Sequence, residues 1–491
     1  MRKRLGGVLV AVLAGTTWAG AATATPAMTA GPGQPDDSDH RAAPADQFSR
    51  NEPSVAVSPL DPRRVATAAN TRNRRYYIGV NVSGDGGHTF TEHVMPDAPG
   101  GDAQFDPHLA FDARGRLYAA YLSFDMSDYT AGGLAVARSD DGGATWPARP
   151  AVPSANGRVG GGCSFQDFPA LAVDPRKDRS GVFVAWRRRH YSDSACTSLG
   201  SITVMTARSS DGGRTWSTPR EVPSPAGTST DLPAITVGPD GTVVITTLAS
   251  SRDGSLTAHV TSCPSSAAAL MSVAAVSRDG GRTFVPRIVQ RFCAPGTVAF
   301  VQNPTVNDGG SYGASSTTGA TYRLVGSTNT VIDPVSRQLT NVAGAQDPLT
   351  GQQRILVATS RDGTTWAPAG EVPALPSENQ QFPRLAVGPT GRLSLLYLAQ
   401  LPGGVLVASH TVSPDKGTTW APVQRLTSVP TRIANPLGLG FIGDYLGNAV
   451  GPDGLAHPVW TDVRQPSAAP GADPGETVFY DGTIYTRAVR V

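Results

Sequence analysis

What this 491-residue sequence has little of narrows its chemistry early. It holds four cysteines, and no two are spaced as Cys-x-x-Cys, which argues against a zinc ribbon or a thiol redox motif. Its eight histidines include no His-Glu-x-x-His pair, and no phosphate-cradling Walker loop occurs. Gly309-Gly310-Ser311-Tyr312-Gly313 matches the Gly-x-Ser-x-Gly frame, but no helix pattern follows it, so the strand–turn–helix setting of a nucleophile elbow is missing. Beyond the N-terminus there is no long amphipathic helix pattern and no second apolar span.

The N-terminus reads as a secretory signal over residues 1–24. Arg2, Lys3 and Arg4 precede a mainly apolar stretch from Leu5 to Ala22, and Ala22-Thr23-Ala24 offers a cleavage site. A lone membrane anchor is the rival, but Gly and Thr interrupt the stretch and it is short for a span. Removing its three positive charges takes the formal net charge from +2 to −1. A near-neutral secreted chain has no global basis for gripping nucleic acid or an anionic membrane. Residues 25–45, rich in Pro, Ala, Gly and Asp, are expected to be a disordered leader. Four cysteines in a secreted chain suggest two disulfides, with three pairings open from sequence alone.

What the chain does have is repetition. Ser139-Asp140-Asp141-Gly142-Gly143-Ala144-Thr145-Trp146 recurs in variant form from Ser83, Ser209, Ser277 and Ser413, and one residue shorter from Ser360 to Trp366. The frame is Ser-x-Asp-x-Gly-x-Thr-Trp, with Phe90 and Phe284 closing two copies. The Gly permits a tight turn, the Asp and hydroxyls can bind backbone N–H groups, and the aromatic can drop into the core. Six copies describe a structural fastener rather than six sites. With 55 Gly and 41 Pro between β-rich runs, the chain suits many short strands joined by turns.

A second, looser phrase opens a strand between these turns. It appears at Glu52-Pro53, Asp106-Pro107, Asp167-Phe168-Pro169, Asp231-Leu232-Pro233, Asn303-Pro304, Gln381-Phe382-Pro383 and Asp444-Tyr445. Each unit then reads as four strands, and a ring of such units is an all-β propeller spanning residues 46–491. Seven opening phrases predict seven blades, with six the alternative. The last unit lacks its Asp turn, and a strand from Ala45 to Arg50 is expected to complete it and remove an open edge. This layout favours pairing Cys163 with Cys196 and Cys263 with Cys293.

Turns such as Ser209–Trp216 resemble the Asp-box, or BNR repeat, of the sialidase superfamily. The resemblance covers the propeller region and implies that fold. It is a weaker guide to the reaction, because propellers with such turns also serve as other glycosidases, receptors and binding scaffolds.

Strand direction alternates, so the opening phrases gather at the ring mouth, on the face away from the Asp turns. That mouth collects Glu52, Asp106, Asp167, Asp231, Asn303, Gln381 and Asp444 as a candidate ligand site, although the same residues could simply cap strand ends. Arg72, Arg187 and Arg464 end second strands on that face, with Arg188 and Arg189 equally placed beside Arg187. Guanidinium groups bind carboxylates through paired hydrogen bonds, so converging arginines suit an acidic sugar. Alternatively they pair with neighbouring aspartates. Sialidases carry an arginine triad and a Tyr nucleophile with a carboxylate partner. The resemblance therefore implies Tyr445 as nucleophile, Glu52 as its base, and Asp106 or Asp125 as acid. It departs from the family in having Asn51-Glu52 at the start of the ring, and in Arg50-Asn51-Glu52-Pro53 only approximating an Arg-Ile-Pro phrase.

The resulting expectation is a secreted, monomeric, sialidase-like glycosidase removing terminal acidic sugars from glycoconjugates, with no resident cofactor. Ca²⁺ held by the mouth carboxylates is an optional structural plug. The competing expectation is a non-catalytic propeller that binds a glycan, cell-wall polymer or protein.

Overall fold

In a computed structural model the chain closes into seven antiparallel blades around a central axis, and the described residues contain no helix. These residues are 38–46, 48–73, 75–147, 150–251, 263, 267–295, 312–314, 321–323, 326–347, 349–375, 377–402, 404–432, 442–464 and 482–491. Blade 1 runs Ser49–Val57, Val65–Arg72, Tyr76–Ser83 and Thr91–Val94 from axis to rim. Blade 2 repeats this with Ala103–Phe111, Leu117–Phe124, Gly132–Ser139 and Ala151–Ala155. The inner three strands of blade 3 are Gly162–Val173, Val182–Tyr191 and Leu199–Ser209. Blades 4, 5 and 6 open at Thr228–Val237, Thr328–Ile332 and Asn379–Val387. Second strands are largely buried, and every residue of Leu117–Phe124 is. A blade is covered on both faces by its neighbours, so its middle strands read as apolar runs rather than a clean alternation.

Two sequence expectations about the ring need correction. Asn303-Pro304 lies outside the described residues, and the inner strand of blade 5 is Thr328–Ile332. Blade 7 is completed not by Ala45–Arg50 but by His40–Arg41, which pairs with Tyr485–Thr486. Ala42 N–H extends this pairing to the Ile484 carbonyl at 2.9 Å, and Ala42 and Ala43 are buried. Ordered chain therefore begins before residue 45, inside the stretch expected to be disordered. Ser49 and Arg50 instead belong to the inner strand of blade 1. Pairing this early strand with Thr483–Thr486 in one blade covers the edge of that strand at the closure.

The Asp turns fasten each blade to the one before it. In the first copy Ser83 Oγ donates to Asp85 Oδ1 at 2.6 Å and accepts from Gly87 N–H at 2.8 Å. Thr89 gives both its N–H and its hydroxyl to the same carboxylate, at 2.9 and 2.6 Å. The Thr215 hydroxyl and N–H likewise hold Asp211 well below the usual carboxylate range. Each turn then docks backward. Arg138 of blade 2 donates to the Gly212 carbonyl at 2.9 Å, and Arg64 of blade 1 reaches the Asp141 carbonyl. Trp146, Trp216 and Trp366 pack against apolar clusters drawn from adjacent blades.

Both expected disulfides are present, Cys163–Cys196 and Cys263–Cys293, each with Cα atoms 5.5 Å apart. No helix among the described residues is long and apolar enough to cross a membrane.

Candidate functional site at the ring mouth

The opening phrases work through a repeated backbone distortion. In blade 1, Asn51 faces Asn70 while Ser54 faces Ala68, so one extra residue is inserted into the inner strand. The same shift recurs at Phe105/His108, Asp167/Ala170, Asp231/Ala234 and Gln381/Arg384. Each bulge holds a non-glycine residue at positive φ just before a proline: Glu52 at 54°, Asp106 at 57°, Phe168 at 51°, Leu232 at 50° and Phe382 at 51°. Such a conformation costs about 1–3 kcal/mol per residue. Proline lacks the N–H that the broken ladder no longer needs. Blades 1 and 2 place the carboxylate itself in the bulge, whereas blades 3 and 4 place it one residue earlier. The sequence phrases look equivalent and are not.

These bulges lie at the end of the blade opposite the Asp turns. Asn51 pairs with Asn70 and Arg72 with Tyr76, whereas Ser83 pairs with Val65 at the other end. A cavity of about 240 Å³ opens there, off axis, across blades 1 to 3 and the start of blade 7. Glu52, Asp106, Asp167, Asp444, Arg72, Arg187 and Arg189 all line it.

Asn70 links the Glu52 carboxylate to the backbone of Asp106. Its Nδ2 donates to Glu52 Oε2 at 2.5 Å, and its Oδ1 accepts from Asp106 N–H at 2.7 Å. The other Glu52 oxygen accepts from Asp444 N–H at 3.0 Å. Gly443 covers Glu52 closely. A Cβ there would stand 2.7 Å from Glu52 Cγ, at a φ of 95°.

The Asp106 carboxyl group stands against those of both Glu52 and Asp167, and its own Oδ2 accepts from Phe168 N–H at 3.2 Å. Burial first, and the Asp167 charge second, push its carboxyl up to about 7. Burial would raise Asp167 too, but Arg187 and then Arg189 outweigh it and hold that carboxyl well below the usual range. The sheet register explains the pairing: Asp167 faces Arg187 directly across the strands of blade 3. Arg187 Nε donates to Asp167 at 3.0 Å, its Nη1 lies 3.3 Å from Asp231, and Arg189 Nη2 stands 3.1 Å from Asp167. Two neighbouring carboxyls thus have their proton affinities driven apart, a signature of acid–base work.

Beside the carboxylates stands an aromatic wall that sequence reasoning missed. Phe105 packs on Tyr76 and Phe124 at 5.0 and 5.2 Å, and Phe165 meets Phe124 edge-on at 5.1 Å. All four rings line the cavity. Arg72 lies over the Tyr76 ring at 5.2 Å.

Several expected residues fall elsewhere. Arg464 does not line the mouth cavity; it binds Asp462 at 2.6 Å and Asp39 beside the closing strand, and covers Tyr485 at 4.1 Å. It belongs to the ring closure. Asp231 stands behind Arg187 as its second counter-ion and is absent from the cavity lining. Asp125 accepts from the Ser127 hydroxyl and N–H, which lower its proton affinity and make it a poor acid. Tyr445 is half-buried below the mouth, meets Phe168 edge-on at 5.2 Å, and lines a second cavity on the axis. Burial first, then Asp106 and Glu52, push its phenol well above 10. Among the described residues, no group of three His, Cys, Asp or Glu could hold a metal ion.

Solved structures similar to the chain include sialidases, the family its turns resemble. The Hadza microbial sialidase Hz136 matches at 15% identity over 88% of this chain and 75% of its own, with a TM-score of 0.44. A mutant α-L-arabinofuranosidase from Fusarium graminearum, complexed with an iminosugar inhibitor, matches at 12% over 93% and 98%, with a TM-score of 0.46. A protein of unknown function from Dyadobacter fermentans matches at 16% over 77% and 98%, with a TM-score of 0.47. No family model matches the sequence, and a search of curated proteins finds no match. At these identities and TM-scores the site must be argued from its own geometry.

Proposed function

We propose that the protein is a secreted glycoside hydrolase that cleaves a terminal sugar held in the mouth cavity, using carboxyl groups rather than Tyr445. One arrangement carries this reading: Asp106 and Asp167 line one cavity, burial pushes the first carboxyl up to about 7, and the second is held ionised by its ion pairs with Arg187 and Arg189. A carboxylic acid that is protonated near neutral pH is what a leaving glycosidic oxygen needs. In this reading the leaving glycosidic oxygen accepts the Asp106 proton, and the glycosidic bond electrons pass to that oxygen. For hydrolysis Glu52 must be ionised, with the Asn70 amide and the Asp444 N–H supporting its carboxylate, and it then takes the proton of the water that attacks the sugar carbon. The aromatic wall supplies apolar faces for the sugar ring. Because Arg187 and Arg189 both already face Asp167, an acidic sugar would have to rely chiefly on Arg72.

A second reading, a non-catalytic glycan-binding propeller, is favoured by the Asp106 carboxyl group standing against those of both Glu52 and Asp167. Working glycosidase carboxyls usually stand about 5–9.5 Å apart, leaving room for sugar or water. The test is turnover of aryl sialosides, other acidic glycosides and α-L-arabinofuranosides between about pH 4 and about pH 8, with Asp106→Asn and Tyr445→Phe variants. The carboxyl mechanism predicts a loss of about 10²–10⁴-fold in Asp106→Asn and near-normal activity in Tyr445→Phe. The reverse pattern would restore the sialidase tyrosine mechanism, and no turnover on any substrate would leave the binding reading.

A further inference from the structure

Below the mouth, a cavity of about 180 Å³ occupies the ring axis. Two residues past their bulges, His108 of blade 2 and Arg384 of blade 6 reach across it, with Arg384 Nη2 and His108 Nε2 2.8 Å apart. Ala234, at the equivalent position in blade 4, leaves space beside them. Arg384 is half-buried at the cavity wall, and among the described residues it forms no ion pair.

The hydrogen-bond inventory is lopsided in the same direction. His108 Nδ1 faces the Leu171 N–H at 3.4 Å while Nε2 faces Arg384. A neutral imidazole has one accepting nitrogen, so it cannot accept from both. Burial first, then Arg384, keep this ring neutral by lowering its proton affinity to about 3. Arg384 brings five donors and no acceptor. The cavity therefore holds the Arg384 charge and a surplus of N–H groups on the His108 side, and among its described lining residues Asp444 is the one carboxylate.

We propose that this axial cavity is a binding site for a small monovalent anion, a halide or a short carboxylate, held by Arg384 beside His108. A small anion accepts from Arg384 and the facing N–H without bringing a further donor. A dianion is disfavoured, because Asp444 lines the same cavity and the carboxylate-rich mouth lies directly above. The anion would brace blades 2 and 6 across the axis, independently of any reaction in the mouth.

The test is to collect anomalous diffraction from bromide-soaked crystals of the full secreted chain. In parallel, its melting temperature is followed against sodium chloride, sodium acetate and a bulky-anion salt at constant ionic strength. A bromide peak within hydrogen-bond distance of Arg384, with a saturable stabilisation absent from Arg384→Gln, is the expected result. Stabilisation by acetate as well as chloride would assign the wider carboxylate class. Absence of an axial bromide peak, or equal anion dependence in Arg384→Gln, would overturn the proposal. Should that variant fail to fold, the wild-type bromide map decides alone. Because neither readout uses turnover, failure here leaves the glycosidase reading untouched.

Discussion

Replacing Arg187 by methionine probes the electrostatic frame of the mouth most deeply. The Arg187 side chain is 4% exposed, and it stands between Asp167 and Asp231, whose side chains are 13% and 3% exposed. Methionine keeps much of the length and removes the charge, leaving two buried carboxylates. Arg189 can then neutralise only Asp167 in part. Breaking a buried pair by removing one partner costs about 3–5 kcal/mol, which is the expected loss near pH 8. Its pH dependence has a definite sign. In the wild type, the depressed Asp167 contributes stability that is present above the unfolded carboxylate range of about 4 and lost as pH falls. In the variant, burial raises both carboxyls, so the folded state gains protons that the unfolded state lacks and loses stability as pH rises. The deficit should therefore be largest at alkaline pH and shrink toward about pH 4. Chemical denaturation at several pH values measures it, and adding Asp231→Asn to the variant should recover part of the loss. A deficit under about 1 kcal/mol that does not change with pH would refute the buried network.

Other consequences concern the ring. Gly143→Ala should destabilise more than Gly280→Ala. Both residues have positive φ, 106° and 71°, worth about 1–2 kcal/mol each for a side chain. Only at Gly143 would the new Cβ meet Val82 and Leu117, at 2.7 and 2.9 Å, adding about 1–3 kcal/mol. Equal losses on chemical denaturation would contradict the backward docking of the Asp turns. Replacing Cys163 and Cys196 by serine opens a loop with a sequence separation of 33 and should cost about 3–4 kcal/mol on the chain-entropy account. Unchanged denaturation midpoints would contradict it.

Much of the fold was legible because its punctuation is periodic. The eight-residue turn and the proline phrase gave blade number, strand direction and both disulfide pairs. The ring closure was not, since His40–Arg41 is a two-residue strand too short to show alternation. Blade 5 was misplaced because its inner strand, Thr328–Ile332, carries no proline phrase. At the mouth, the row Glu52, Asp106, Asp167, Asp444 was visible, and Arg189 stood beside the favoured Arg187. Their gathering over blades 1 to 3 was not visible, because it depends on which side of each bulge the carboxylate falls. Asn70 looks like any strand residue until its amide is seen between the Glu52 carboxylate and the Asp106 N–H. Arg464 was drawn elsewhere by Asp39, 425 residues away in sequence. The aromatic wall had a faint signal in Phe105 and Phe165, one and two residues ahead of the mouth aspartates.

The most direct test of the account is the pH profile of kcat/KM on whichever glycoside is turned over, for the wild type and Asp106→Asn. Activity that needs protonated Asp106 should fall as pH rises through about 7, roughly tenfold per pH unit beyond it. The variant should lose that limb together with about 10²–10⁴-fold of the rate. An Asp106→Asn enzyme of near wild-type activity, with its alkaline limb intact, would contradict the assignment of the mouth as a carboxyl acid–base site.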